Sequence, residues 1–401
     1  MKIYRMAITV LSCLLLTACK TTESPTPIVV NDPTITSEAM ITSEPMITSE
    51  PEVTILPKPT ESVDFSEQKR IELETTQNTV ESQQDVKSIL LEAIPLFCET
   101  LSFDLKKAEL NNQLPEHYIL NVFYNVQSEN SELKYAYEVQ TKYDEDTKLV
   151  TCTIKYMPYK LGFEESDLQK GARKAYTLKE LISVAKDNLT ETSVDIMIMN
   201  PELNVDDMQN ALQQVGYGYI MCSLNQDATQ LIMSPTSYKT REEALSYIEE
   251  TNLLADEILK DIVTDSMTDE EKIYAVYSYV ATNTAYDHRY YSKRDEMPYE
   301  SMTAYGTLKD NLAICGGYSW AVYLLLDKLG IECYNVSGKS LGEYHMWNII
   351  KYEGKYLYFD ATYDRGNTPD LGFSRFAMTK EKIEMDREWN QSFFEHLLEN
   401  E

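Results

Sequence analysis

YGTLKDNLAICGGYSWAVYLLLDKLGIECYNVSGKSLGEYHMWNIIKYEGKYLYFDATYD, spanning Tyr305–Asp364, holds a cysteine, a histidine and an aspartate, each at the edge of a different expected element. Cys315 follows the apolar pair Ala313-Ile314 and precedes Gly316-Gly317. Beyond it, Trp320, Val322, Leu324, Leu325 and Leu326 give an apolar helix that stops at Gly330. A thiol at that helix start lies at the positive end of the helix dipole, which favours the nucleophilic thiolate. Residues 345–351 and 355–362 read as two strands joined by a tight turn at Glu353-Gly354.

Parity then places the other two groups. With an even-length loop, His345 and Asp360 share one face of the hairpin, and a two-residue loop makes them diagonal neighbours within hydrogen-bonding reach. The opposite face carries Met346, Ile350, Leu357 and Phe359, a core face; an odd-length loop would split the pair. Thiolate, imidazole and orienting carboxylate make up the arrangement of a cysteine acyl-transfer enzyme.

The segments AICGGYSWAVYLLLDKLGIEC, VSG, HMWN and YFDATYD, taken in order, resemble the core of the transglutaminase-like superfamily. Its pattern is a Cys-Gly pair opening a helix, a His-x-Trp-Asn strand and an Asp-x-Thr strand end. YSYVATNTAYD (Tyr277–Asp287) resembles the element that precedes this core, so the resemblance runs from Thr268 to Trp389. It implies a papain-related α+β fold, with Cys315 as nucleophile, His345 as general base and acid, and Asp360 as its orienter.

The first residues read as an export signal. Lys2 and Arg5 precede an apolar run, Ala7 to Leu16, too short to span a bilayer. Leu16-Thr17-Ala18-Cys19 reads as a bacterial lipobox, so residues 1–18 are expected to be removed and Cys19 to carry lipid. Residues 19–80 read as a disordered tether in which ITSE recurs at Ile35, Ile41 and Ile47 among Pro, Met and Glu; such a composition cannot bury enough surface to fold. The expected location is extracytoplasmic, anchored to the bacterial cell membrane through the N-terminal lipid.

Two small α/β modules of similar pattern follow, at 85–160 and 175–238. The second is opened by the capping box Thr177-x-x-Glu180. A connecting helix is expected at 240–264 and the catalytic domain at 268–401, opened by Thr268-x-x-Glu271. SRFAM (374–378) reads as a further strand, and the tail from Thr379 as helix.

The 401 residues, 43% of them apolar, suffice for two or more domains, and the formal charge of −29 argues against nucleic acid and against docking on anionic lipid. Four scattered histidines, with no His-x-x-His, Cys-x-x-Cys or EF-hand spacing, leave neither a metal nor a cofactor expected. His117 reads as a helix-surface residue, and Cys98, Cys152 and Cys222 as small buried hydrophobes. A Cys315–Cys333 disulfide is the competing structural reading, but it would leave His345, Asp360 and Trp347 unexplained. Asp364 is an alternative orienter, disfavoured because it lies beyond the strand end. Asn348 falls on the face opposite His345, and Trp347 reads as core or rim. The Cys315 backbone N–H is a candidate oxyanion donor, with Asn311 or Tyr305 as a possible side-chain partner.

The resulting expectation is a surface-anchored cysteine-dependent amide hydrolase or acyltransferase acting through a thioester on protein or cell-wall peptide substrates. The alternative is a non-catalytic binding lipoprotein that keeps the fold.

Overall fold

The structure, a computed structural model, describes residues 65–163 and 171–399. The signal segment, Cys19 and the tether up to residue 64 lie outside the described residues. Within the stretch read as tether, however, α1 (Phe65–Thr75) and β1 (Gln77–Thr79) are ordered elements. Leu73 is buried, and Arg70 of α1 is braced by Glu67 and Glu74 on its own helix. Polar composition concealed a helix that has only a narrow apolar contact.

After β1 the chain runs α2 (Gln83–Ala93), β2 (Thr100–Asp104), α3 (Pro115–Glu129), β3 (Ala136–Asp144), β4 (Leu149–Tyr156) and the short α4 (Pro158–Leu161). The four strands form one sheet in the order β1-β2-β4-β3, with β1 parallel to β2 and the other pairs antiparallel. Then come β5 (Arg173–Ala175), α5 (Leu178–Asp187), β6 (Ser193–Ile198), α6 (Val205–Leu212), β7 (Ile220–Leu224) and β8 (Gln230–Pro235). Their order is β5-β6-β8-β7, again with the first pair parallel and the rest antiparallel. Both sheets therefore follow the same βαβαββ path. The same capping device starts a helix in each: Ser82 accepts from the Asp85 amide at α2, and Thr177 from the Glu180 amide at α5.

The C-terminal half continues through α7 (Arg241–Ile262), α8 (Asp269–Asn283), β9 (Ala285–Tyr286), α9 (Arg289–Ser292), α10 (Ala304–Leu308) and β10 (Leu312–Ala313). It ends with α11 (Cys315–Lys328), β11 (Cys333–Ser340), β12 (Glu343–Tyr352), β13 (Lys355–Phe359), α12 (Lys380–Ile383), β14 (Arg387–Trp389) and α13 (Gln391–Glu399). Among the described residues no helix is long and apolar enough to cross a membrane.

A fully antiparallel sheet, β13-β12-β11-β14, is sandwiched between two cores. One face, with Ile350 and Phe359, packs on α11 together with Ala255 and Leu259 of α7 and Val276, Tyr277 and Val280 of α8. The other face, with Val336, Trp347, Ile349 and Tyr358, shares a core with α13 and both modules. The apolar core of the C-terminal domain thus begins inside α7, rather than at the break before Thr268.

The sheet differs from expectation in its last strand. Residues 374–378 form an irregular segment holding a single bridge, Tyr358 to Met378, and Ala377 adopts φ 51°, which breaks an extended run. The fourth strand is β14, inside the tail read as helix. It lies beside β11 with Ser340 opposite Arg387 and Gly338 opposite Trp389. A Cβ at Gly338 would collide with the Glu388 carbonyl and the Trp347 ring, so only glycine admits the strand this closely.

The second module is packed into the C-terminal half rather than strung beside it. The Gln214 amide donates to the Asn335 carbonyl (2.9 Å) and accepts from the Asn335 N–H (2.7 Å), completing the stretch of β11 that β14 does not reach. Tyr217 meets Trp320 of α11 edge-on at 6.1 Å, Lys186 pairs with Asp327, and the Tyr299 hydroxyl donates to the Gly218 carbonyl.

Candidate active site

Cys315 is the first residue of α11, half-buried, where no side chain caps the helix. The two glycines behind it are there for packing. A Cβ at Gly317 would lie 2.7 Å from the Ala313 Cβ and 2.9 Å from the Ser301 and Thr303 carbonyls, and one at Gly316 would lie 2.9 Å from the Met302 carbonyl. The segment before α10 can therefore press against the helix start only if both positions are glycine. A buried polar cluster fixes the rest of α11 to the sheet. Ser319 Oγ donates to Asn335 Oδ1 (2.7 Å), while Asn348 Nδ2 donates to the Ser319 carbonyl (3.1 Å) and to Asn335 Oδ1 (2.9 Å). Asn348 thus has a structural role on the helix-facing side of β12.

The turn between β12 and β13 is the two-residue loop Glu353-Gly354, with φ 48° and 70°, the mirror-image turn that suits a twisted hairpin. The register pairs Asn348 with Phe359, which places His345 and Asp360 diagonally on the other face. His345 Nε2 and Asp360 Oδ2 are 2.7 Å apart. The Cys315 sulfur lies close enough to His345 to raise the imidazole's proton affinity, and with Nε2 held by the carboxylate, Nδ1 is the nitrogen available to the thiol proton. The imidazole stacks on Trp347 at 6.0 Å and meets Tyr363 edge-on at 5.1 Å, so its plane is set from both sides. Sequence reasoning thus brought three residues together that the fold also brings together.

Charge follows from this packing. Burial opposes protonation of His345, but ionised Asp360, its hydrogen bond and the Cys315 sulfur outweigh it and raise the imidazolium to about 9. Burial likewise works against the Asp360 carboxylate, yet His345 and Arg387 together hold it below its usual range. Asp364 has other duties. It accepts from the Tyr277 hydroxyl (2.7 Å) and from the amides of Ser374 (2.9 Å) and Arg375 (2.8 Å), which folds the loop after β13.

The reading by sequence missed two features. Arg387 of β14 donates from Nη2 to Asp360 Oδ2 at 2.7 Å, with both side chains wholly buried. It lay in a tail assigned to helix, and a three-residue strand carries no periodic signal. The second feature is Tyr286. Parallel pairing of β9 with β10 puts Tyr286 opposite Ala313, two residues before Cys315. Its phenol and that of Tyr290 lie close enough to feel the Cys315 charge, and burial holds both protonated. Tyr286 stacks on Tyr291 at 5.9 Å and is covered by the Arg365 guanidinium at 5.1 Å. Asp287 secures this wall, accepting from Arg289 Nη2 (2.8 Å) and Ser301 Oγ (2.7 Å). The two side chains named as oxyanion candidates lie elsewhere: Tyr305 bonds Glu250 and meets Tyr247, and Asn311 is an exposed turn residue at φ 53°.

The remaining cysteines take no part. All five described cysteines are free, which removes the Cys315–Cys333 disulfide. Cys333 is fully buried, where its sulfur accepts from Asn348 Nδ2 at 3.7 Å, and burial pushes the Cys152 and Cys222 thiols up to about 12. His117 is exposed on α3. Among the described residues, no group of three or more His, Cys, Asp or Glu is arranged to hold a metal ion.

Residues 256–361 match the family model of the Transglutaminase-like superfamily. The chain carries a transglutaminase-like domain. It is 25% identical over 123 residues to the kyphoscoliosis peptidase of Homo sapiens and 24% identical over 122 residues to that of Mus musculus. These matches cover 28% and 27% of this chain but only 18% of each relative. A solved structure from Cytophaga hutchinsonii, described as a candidate cysteine protease, aligns at 14% identity and TM-score 0.23, covering 34% of this chain and 51% of that one. A TGase structure aligns at 18% identity and TM-score 0.27, covering 53% and 64%. The matched segment runs from the last turns of α7 to just past β13, and Arg387 lies outside it.

Proposed function

We propose that this protein is a cysteine-dependent amide hydrolase acting on protein or cell-wall peptide substrates. The observation that carries the reading is the His345 ring bonded to the Asp360 carboxylate, with Cys315 at the start of α11 close enough to raise its proton affinity. Cys315 Sγ attacks the substrate carbonyl carbon while its proton resides on His345, and the tetrahedral oxyanion is met by the Cys315 N–H and the Tyr286 hydroxyl. Collapse breaks the C–N bond, and His345 gives its proton to the departing amine, leaving a thioester on Cys315. Water then attacks the thioester as His345 takes its proton, and the acid leaves as sulfur regains a proton. Asp360 keeps the ring in one tautomer and orientation throughout.

Water is favoured over an amine as acceptor because the rim of the site is open: Tyr344 is 60% exposed and Tyr291 64%. Tyr363 meets the His345 ring edge-on and Tyr291 stacks on Tyr286, aromatic groups suited to a polypeptide. The lipobox ending at Cys19 supports export and lipid attachment, which would hold the enzyme outside the cytoplasm on a tether.

The test is to incubate the full chain with a peptide library bearing activated ester or amide bonds and to map covalent adducts by mass. The proposal expects an acyl group on Cys315, discharged by water faster than by added amine and absent from Cys315→Ala and His345→Ala. Binding of wall peptides without any acyl adduct would instead identify a non-catalytic binding protein.

A further inference from the structure

Asp360 does not serve His345 alone. Its Oδ2 accepts from the imidazole at 2.7 Å and from Arg387 Nη2 at 2.7 Å, so two cations share one carboxylate oxygen. Behind Arg387, Nη1 lies 2.8 Å from Asp386 Oδ1, and Asp386 Oδ2 lies 2.9 Å from Arg375 Nη2. From the thiol inward the groups alternate: Cys315 on α11, His345 on β12, Asp360 after β13, Arg387 on β14, Asp386 before it, and Arg375 in the preceding loop. The other titratable groups facing this row are Tyr286 and Tyr290 beside Cys315, Tyr363, whose ring lies 4.5 Å from the Arg387 guanidinium, and Tyr277 of α8, which bonds Asp364.

We infer that Arg387 is a positioning residue of the active site, held against Asp360 by β14 so that the carboxylate restrains the His345 proton without gripping it. The inference rests on the hydrolase reading above. Stability alone does not account for this arginine. A wholly buried ion pair is often no more stable than apolar residues of the same volume, and here the Arg387 Nε also lacks a hydrogen-bond partner. An apolar side chain could close this sheet edge against Trp347. A guanidinium does something further: its charge offsets part of the Asp360 field that the imidazolium feels, and its planar fork fixes the carboxylate. A histidine paired with an undiluted buried carboxylate would hold its proton too tightly to pass it to a departing amine. The segment that brings Arg387 in depends on Gly338, because any side chain there would push β14 away.

The experiment measures the alkylation rate of Cys315 by iodoacetamide across pH in the full chain, comparing wild type, Arg387→Met and Asp386→Asn, with circular dichroism to verify folding. In wild type the upper inflection reports loss of the imidazolium proton. Arg387→Met removes a positive charge beside Asp360, and the inflection is expected to rise by about one pH unit, a tenfold gain in proton affinity. Asp386→Asn removes a negative charge behind Arg387, and the inflection is expected to fall. Asp386 keeps some solvent exposure, so this second variant remains informative if Arg387→Met fails to fold. Opposite displacements support the inference. Rates that drop in both variants with the inflections unmoved would reduce Arg387 to a structural part, while a primed, His345-dependent thiol in wild type would leave the hydrolase reading intact. An ordinary thiol profile in wild type would overturn both.

Discussion

Raising the pH should weaken this fold through a single imidazole. His345 holds its proton up to about 9, against an ordinary value of 6.5, because Asp360 and Cys315 together outweigh its burial. Below about pH 6.5 the folded and unfolded chains both carry that proton, and the full stabilisation is present. Between about 6.5 and about 9 only the folded chain carries it, so each step up in pH favours unfolding; above about 9 the contribution is gone. At about 1.4 kcal/mol per tenfold difference in proton affinity, the loss across the window is about 3 kcal/mol. Urea unfolding under reducing conditions, at pH values from about 6 to about 10, would measure it in wild type and His345→Gln. Titrating groups remote from Cys315, His345 and Asp360 are common to both proteins and cancel in the difference. Wild type should exceed the variant by about 3 kcal/mol more at the acid end than at the alkaline end. A difference that stays constant across the range would refute the charge assignment at His345.

Three further perturbations separate the parts of the site. Asp360→Asn leaves the buried Arg387 with Asp386 as its remaining anionic partner, so it should cost up to about 3–5 kcal/mol in urea unfolding and slow Cys315 alkylation, with part of the stability returning in the double variant Asp360→Asn/Arg387→Met. Gly317→Ala forces its new methyl against the Ala313 side chain and two carbonyls, and a loss of about 1–3 kcal/mol is expected, measured as a lower melting temperature. Tyr286→Phe keeps the ring stacking but removes the hydroxyl, and should lower acyl-transfer turnover by about a hundredfold in steady-state kinetics with little change in stability.

The sequence disclosed the parts of the site that obey short-range rules. Cys315 stood out because glycines and an apolar run mark a helix start, and the His345–Asp360 contact followed from the period of two in strands once Glu353-Gly354 was read as a two-residue turn. The same parity put Asn348 on the structural face, where it ties α11 to β11. What was not legible depends on long-range packing. Arg387 reaches Asp360 only because β14 docks on β11 beside Gly338, and nothing local in MDREWN announces a strand. Residues 374–378 have strand composition but take an irregular path, because Asp364 collects the Ser374 and Arg375 amides. The reason for Gly316-Gly317 also lay in a distant contact, the carbonyls of residues 301–303. Polar composition hid α1, which carries intrahelical ion pairs, one buried leucine and tertiary bonds from Lys69 to Glu92 and from the Glu99 amide to Glu74.

The central claim is that Cys315 is a primed nucleophile coupled to His345. It is tested most directly by iodoacetamide alkylation of the folded full chain at about pH 6 to 7, with mass mapping, in wild type and His345→Ala. The account expects Cys315 to be modified selectively in wild type, with Cys98, Cys152, Cys222 and Cys333 protected by burial, and to react markedly more slowly in His345→Ala. Modification of Cys315 only above about pH 8, at the same rate in both proteins, would contradict it.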